Sequence, residues 1–374
     1  MITMTIISFI FSLLYINFST SHKIAFGSCN NAHLESLFDV IESFNVDKLL
    51  LLGDTIYLDD KRYKHLQPSE KLINGYSLFK QDLSWKSLFV KLNGWSNIHA
   101  IYDDHDFGYD NADKFNPFKE LSMESFYNFT DIPHTTVDEL DTSGSIAKSH
   151  NYDSRKRRAS GVYSSYTHTF QQNNNTFTYK TILLDLRSNK DESHNSEGDF
   201  LGQEQWQWLI DELSDSYIYD MIIIGSSLQV LRTDGIVEES WNIFPAQRKK
   251  LMNILSFISI YTNVLILSGD IHQAEVSQAI CAPLPISSHF STIPIIRTLL
   301  EITSSGFTHT FSHIARLKDG LETGTEPENN NRVSGGVSDS STDSDSGSGS
   351  NRMQCISYLK NFIMNYYQVS YKNN

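Results

Sequence analysis

Five short apolar runs in this chain each stop at a cluster of charged or metal-capable residues. Residues 49–52 lead into Gly53-Asp54-Thr55-Ile56-Tyr57, and 98–102 into Asp103-Asp104-His105-Asp106. Residues 182–184 lead into Asp185-Leu186-Arg187, 221–224 into Gly225-Ser226-Ser227, and 264–267 into Ser268-Gly269-Asp270-Ile271-His272. A continuous apolar run of that length reads as a strand buried on both faces, and the fold class expected is α/β. In such sheets the residues just past the strands gather along one edge, where ligands bind. Five ends carrying Asp, His, Tyr and Arg therefore predict one polar, carboxylate-rich pocket of a metal-dependent kind.

Each cluster has its own chemistry and its own plainer explanation. Gly53 permits a sharp turn, Asp54 can bridge two cations, and a phenolate at Tyr57 is a hard ligand suited to a trivalent ion; the plain alternative is a Gly-Asp turn beside a core tyrosine. Three acids around His105 repel one another unless cations or donors compensate, so Asp103-Asp104-His105-Asp106 reads as a ligand cluster, with Asn111 close enough to add an amide oxygen. Asp270 and His272 stand two apart, on the same side of an extended backbone, and can share one metal or pair as ligand and acid/base; otherwise His272 is a hydrogen-bonded strand-end residue. Asp185 and Arg187 repeat that spacing, and Arg187 offers a planar fork for phosphate, or else a local ion pair. Cys29, within Gly27-Ser28-Cys29-Asn30 after a first short strand at 23–26, is either a thiolate ligand or a small buried hydrophobe.

A formal charge of −14 and a pI near 5.3 exclude a basic nucleic-acid footprint. The apolar stretch 6–16, followed by small residues at Ser19 and Ser21, predicts a secretory signal peptide over 1–21 with cleavage before His22, although no Lys or Arg precedes it. The expected location is the secretory route or outside the cell, with membrane association should the leader stay attached. The run is too short for a comfortable span, and no other stretch approaches about 20 apolar residues. Sequons at Asn128-Phe129-Thr130 and Asn174-Asn175-Thr176 agree with secretion. Three cysteines, Cys29, Cys281 and Cys355, permit at most one disulfide and leave one thiol over.

Between the strands, helices are expected over 34–44, within 58–97, over 202–213 and from Pro245 to about 258. A hairpin is expected from 162–170 and 176–184, and helix or loop over 107–135. The polar stretch 136–160 holds Arg155-Lys156-Arg157-Arg158, read as an exposed loop in preference to a processing site or anion patch. Residues 22–317 form the main domain. Residues 318–352 are rich in Ser, Gly, Asp and Asn and cannot bury enough surface to fold. Residues 353–374 resume an aromatic strand pattern expected to return to the core.

Taken jointly and in this order, the motifs resemble those of PhoD-type alkaline phosphatases, a branch of the calcineurin-like metallophosphoesterases. Leu201-Gly202-Gln203-Glu204-Gln205-Trp206 and Glu301-Ile302-Thr303-Ser304-Ser305-Gly306 match as well, so the likeness spans roughly 23–313. The resemblance implies a four-layer α/β/β/α sandwich, a multinuclear centre of ferric iron and calcium or other divalent ions, and phosphoester hydrolysis by in-line attack of a metal-held hydroxide. It implies Cys29, Asp54 and Tyr57 as ligands of the trivalent ion, with Asp54 bridging. Asp104 would bind the second metal where wider relatives use Asn, and Asp270 and His272 would complete the set. His105 would assist substrate or leaving group, and Asp185 and Arg187 would contact metal or phosphate or stand behind the ligands. Cys29 stands where the wider superfamily has an Asp-x-His motif. No serine nucleophile is required, so Ser226 and Ser227 read as structural or phosphate-contacting. Competing expectations are a phosphodiesterase or phospholipase-like hydrolase, and a catalytically silent binding relative.

Overall fold

The computed structural model describes residues 22–30, 37–57, 64–132, 158–172, 175–233, 238–281 and 297–307, together with two backbone strands near the N-terminus. In chain order the elements are β1 (Thr5–Ile6), β2 (Leu14–Asn17), β3 (Lys23–Gly27), α1 (Phe38–Ser43), β4 (Lys48–Leu52), α2 (Pro68–Gln81), α3 (Leu83–Lys91), β5 (Ile98–Ile101), α4 (Asp104–Phe107) and α5 (Lys119–Phe129). There follow β6 (Ser164–Gln172), β7 (Asn175–Leu183), α6 (Gly202–Leu213), β8 (Met221–Gly225), α7 (Pro245–Ile258), β9 (Asn263–Ser268), β10 (Ala274–Cys281) and β11 (Arg297–Ser304).

The strands make two sheets, ordered β1-β2-β3-β4-β5 and β10-β11-β9-β8-β7-β6. In the first, β3, β4 and β5 run parallel; in the second, β7, β8, β9 and β11 do. The α/β reading therefore holds, but the five apolar runs divide between two sheets. Period-two alternation explains why each run is apolar throughout. Ala25, Leu49, Leu51, Ile98 and Ala100 share a cluster with Phe38 and Ile41 of α1, Leu72 and Phe79 of α2, Trp85 of α3 and Phe126 of α5. The alternate residues Ile24, Phe26, Leu50, Leu52 and Ile101 pack against Tyr179, Leu183, Ile223, Leu265, Leu267 and Ile302 of the second sheet. The strand residues facing the other way, among them Ile182, Ile222, Ile224 and Ile266, are buried too, and α7 packs along β9.

The expected hairpin and the helices after Gly202 and Pro245 are present as β6–β7, α6 and α7. Pro245 opens α7 where a missing N–H costs nothing. β1 and β2 overlap the stretch read as a leader, and β2 pairs antiparallel with β3. A chain cleaved before His22 would present β3 as the sheet edge. No helix among the described residues is long and apolar enough to cross a membrane. Asn128 of the first sequon is exposed on α5 and bonds Glu124, while the Thr130 hydroxyl is buried on the Phe126 carbonyl. Asn174, residues 155–157 of the basic run, Cys355 and everything expected of 318–374 lie outside the described residues. The chain divides into two units. One comprises Met1–Ile280 and Thr298–Phe311; the other, Cys281–Arg297 and Ser312–Asn374, lies almost wholly outside the described residues.

Candidate metal centre

The carboxyl ends of β3, β4 and β5 meet those of β9 and β11 through close backbone approaches. Gly53 turns the chain after β4 at φ +100°, and a Cβ there would stand 2.5 Å from the Asp103 Cβ, so only glycine admits the β5 end this near. Asp106 locks the two ends together. Its Oδ1 accepts from the Ile56 N–H at 2.8 Å, and its Oδ2 accepts from the N–H groups of Thr55 and Asp103, both at 3.1 Å. Burial drives the Asp106 carboxyl up to about 7 against the opposing pull of those donors. On the other side, Gly269 lets the β9 end press on Ser28, whose Oγ accepts from the Asp270 N–H at 3.1 Å. Ser305 Oγ accepts from the His272 N–H at 2.9 Å and sits 3.0 Å from Cys29 Sγ. Cys29 and Asn30 donate their own N–H groups to the carbonyls of Gly53 and Asp54.

These clamps hold four residues in the left-handed region: Cys29 (φ 60°), Asp54 (51°), Asp270 (69°) and His272 (53°). None is glycine, and each costs on the order of 1–3 kcal/mol that the surrounding bonds must offset. The result is convergence. Ligand atoms of Asp54, Asp103, Asp104 and Asp270 lie within 4.8 Å of one another, and Asp54, Asp104 and His105 form an overlapping group on the same scale. Cys29 Sγ is 3.5 Å from Asp54 Oδ2 and 3.5 Å from the Asp270 carbonyl, and it shares hydrogen bonds with His272 and Tyr57. The Tyr57 ring stands 4.3 Å from that of His105; both are partly exposed, and they mark the open side of an otherwise buried cluster.

The electrostatics call for positive charge. Burial, then the Cys29 thiol and the neighbouring carboxyls, drives Asp54 well above the usual carboxylate range; burial, Asp103 and Asp104 do the same to Asp270. Asp103 is raised to about 6, burial outweighing Arg187. Asp104 goes the other way: burial opposes, but Arg187, His105 and the N–H groups of Asn111 and His105 hold it down. Burial would raise Cys29, yet His272 beside it and hydrogen bonds from Ser28 and Ser305 bring it down to about 6. Burial and the Cys29 charge push the Tyr57 phenol up. Asp54 Oδ1, Asp103 Oδ2 and Asp270 Oδ2 are buried with no hydrogen-bond partner. Such oxygens are costly in a dry site unless a cation takes them. The residues present fit a multinuclear metal group, and hard carboxylates beside a thiol and a phenol are a donor set that could hold it.

Arg187 also lies here, with its fork turned inward. It is fully buried, its Nε on Asp103, its Nη1 2.6 Å from Glu239 and its Nη2 3.5 Å from Asp104. Asp185 accepts from Tyr102, Val162, Ser188 and the Arg187 N–H, which shapes the Arg187 loop, and it is not among the four clustered carboxylates. Ser227 donates to Asp103 at 2.8 Å, and Ser226 donates to the Leu228 carbonyl and accepts from the Trp241 indole, so both hydroxyls are engaged within the protein. Sequence reasoning missed the clamp at Asp106, whose spacing of three from Asp103 is a capping pattern. It also missed Glu239, for which no local signal exists.

The pattern of the PhoD-like phosphatase family matches residues 24–305. The chain belongs to that family. A relative, alkaline phosphatase D of Bacillus subtilis (strain 168), is 30% identical over an alignment covering 27% of this chain and 21% of that one. The match thus spans about a fifth of that relative's length. Among solved structures, the chain is similar to GAP50, the anchor in the inner membrane complex of Plasmodium, at 13% identity and a TM-score of 0.36, covering 76% of this chain and 71% of that one. It is similar to a 5'-nucleotidase of Candida albicans at 12% identity and a TM-score of 0.35, covering 76% and 46%.

Proposed function

We propose that this chain hydrolyses phosphoesters at a multinuclear metal centre held by Cys29, Asp54, Tyr57, Asp104, Asp270 and His272, on a four-layer α/β/β/α frame and along the secretory route. The observation that carries the reading is the cluster of four buried carboxylates mutually within 4.8 Å, three of which keep an oxygen without a hydrogen-bond partner. Ferric iron with calcium is the pair that the resemblance to PhoD-type phosphatases implies, other divalent ions being alternatives, and a phenol with hard carboxylates is a donor set compatible with it. When bound, such cations neutralise charge on a phosphoryl group and acidify water. The chain's own contributions follow from position. His105, on the open side, offers an imidazole N–H to the leaving oxygen. Arg187 is assigned to holding Asp103 and Asp104, because its guanidinium is sealed from solvent. Asp106 keeps the β4 and β5 ends in register.

The test is elemental analysis of the purified protein beside a panel of phosphomonoesters and phosphodiesters, with and without chelator. Metal content together with chelator-sensitive cleavage is expected, and the ratio of the two ester types ranks monoesterase against diesterase. Asp54→Ala should lose metal and turnover together; full turnover with normal metal content in that variant would defeat the proposal.

A further inference from the structure

Behind Asp104 runs a closed circuit of buried polar groups. Asp104 Oδ2 accepts from the Asn111 N–H at 2.7 Å and lies 3.5 Å from Arg187 Nη2. Arg187 Nη1 donates to Glu239 Oε2 at 2.6 Å. Glu239 Oε1 is 2.9 Å from Lys190 Nζ and accepts from Ser193 Oγ at 2.6 Å. Lys190 Nζ donates to the Asn111 carbonyl at 3.0 Å, which returns the circuit to Asp104. The side chains of Arg187 and Lys190 are wholly enclosed, and that of Glu239 is 9% exposed.

Two enclosed cations beside a cluster of carboxylates would compete with any metal for those oxygens. Lys190 and Asp104 are joined through one residue, Asn111, whose carbonyl accepts from Lys190 and whose N–H donates to Asp104. Among the described residues, Glu239 is an anion outside the candidate ligand set that pairs with both cations at once. We infer that Glu239 is a positioning residue for the metal centre: it retains Lys190 and fixes the outer end of Arg187, whose Nε and Nη2 already face Asp103 and Asp104, so that Asp104 presents its carboxylate to a cation instead of closing on the Lys190 ammonium. This rests on the metal-centre reading above. Outer groups that orient metal ligands typically control affinity by 10–100-fold.

The experiment is calorimetric titration of chelator-stripped, full-length protein with Mn²⁺. Glu239→Gln should bind Mn²⁺ about 10–100-fold more weakly than the natural protein. Glu212→Gln, which removes an α6 carboxylate 2.7 Å from Lys180 of β7, should bind as the natural protein does. Adding Lys190→Met to Glu239→Gln should recover part of the lost affinity, since the released ammonium is then gone. A role confined to folding would not produce that rescue. Glu239→Asp, which keeps the charge but cannot span both cations, is a second variant and should also bind more weakly. Binding by Glu239→Gln and Glu239→Asp within about twofold of the natural protein, well short of the usual outer-group effect, would overturn the inference alone. A loss that Lys190→Met leaves untouched would do the same. Failure of the natural protein to bind Mn²⁺ would overturn the metal-centre reading and this inference with it.

Discussion

Asp106→Ala removes the one acceptor shared by three buried N–H groups, those of Ile56, Thr55 and Asp103, at 2.8, 3.1 and 3.1 Å. Hydrogen bonds to a charged acceptor contribute roughly 1.5–3 kcal/mol each, and a buried donor left unpaired costs about 1–3 kcal/mol. Against this stands the desolvation of a carboxylate that is itself fully buried. The net loss expected is about 3–5 kcal/mol, at the upper end for one substitution. Asp106→Asn keeps one carbonyl oxygen but turns an NH₂ toward an N–H donor, so it should lose about half as much. Urea unfolding with chelator in excess isolates this effect from metal linkage. A parallel metal titration should show weaker binding, because the clamp sets Asp54 against Asp104. An Asp106→Ala protein within about 1 kcal/mol of the natural one would refute the claim that this carboxylate ties the β4 and β5 ends together.

Two further outcomes follow from the packing. Gly53→Ala combines φ +100° with a Cβ 2.5 Å from that of Asp103; it should cost about 2–4 kcal/mol in urea unfolding and weaken metal binding, and a neutral effect would show that the β4 and β5 ends can separate freely. His168 lies between the sheets, 3.1 Å from His99 through their Nε2 atoms. Burial, then Lys48 and His22, hold it down to about 3 from an ordinary 6.5. The folded chain therefore binds fewer protons than the unfolded one between these values. Stability should be complete above about pH 6.5 and fall toward pH 3, by at most about 1.4 kcal/mol per pH unit from this group. His168→Phe should flatten that slope, and an unchanged slope in urea titrations across pH 4–7 would sink the assignment.

The parallel strands were readable because burial on both faces writes itself as an unbroken apolar run: Leu49, Leu50, Leu51 and Leu52 go alternately to the helices and to the second sheet. The helices after Gly202 and Pro245 were readable from their own periodicity and start signals. The division of the five runs between two sheets was not in those runs, since a strand covered by helices and a strand covered by another sheet look alike in composition. The N-terminal apolar stretch shows the same ambiguity, because it suits a leader and a strand such as β2 equally well. Asp54, Asp104, Asp270 and His272 could be nominated from their place after strands, yet what holds them could not. Glu239 is 52 residues from Arg187, Cys29 is 276 from Ser305, and no spacing rule spans such separations. Nor does local sequence ask for the left-handed backbone at Cys29, Asp54, Asp270 and His272, where glycine or asparagine would sit at lower cost. Non-glycine residues persist in that region only where tertiary contacts over-determine them. Here those contacts are Ser28, Ser305 and the Gly53 and Asp54 carbonyls, so long-range contacts and not local preference set the backbone at these four positions.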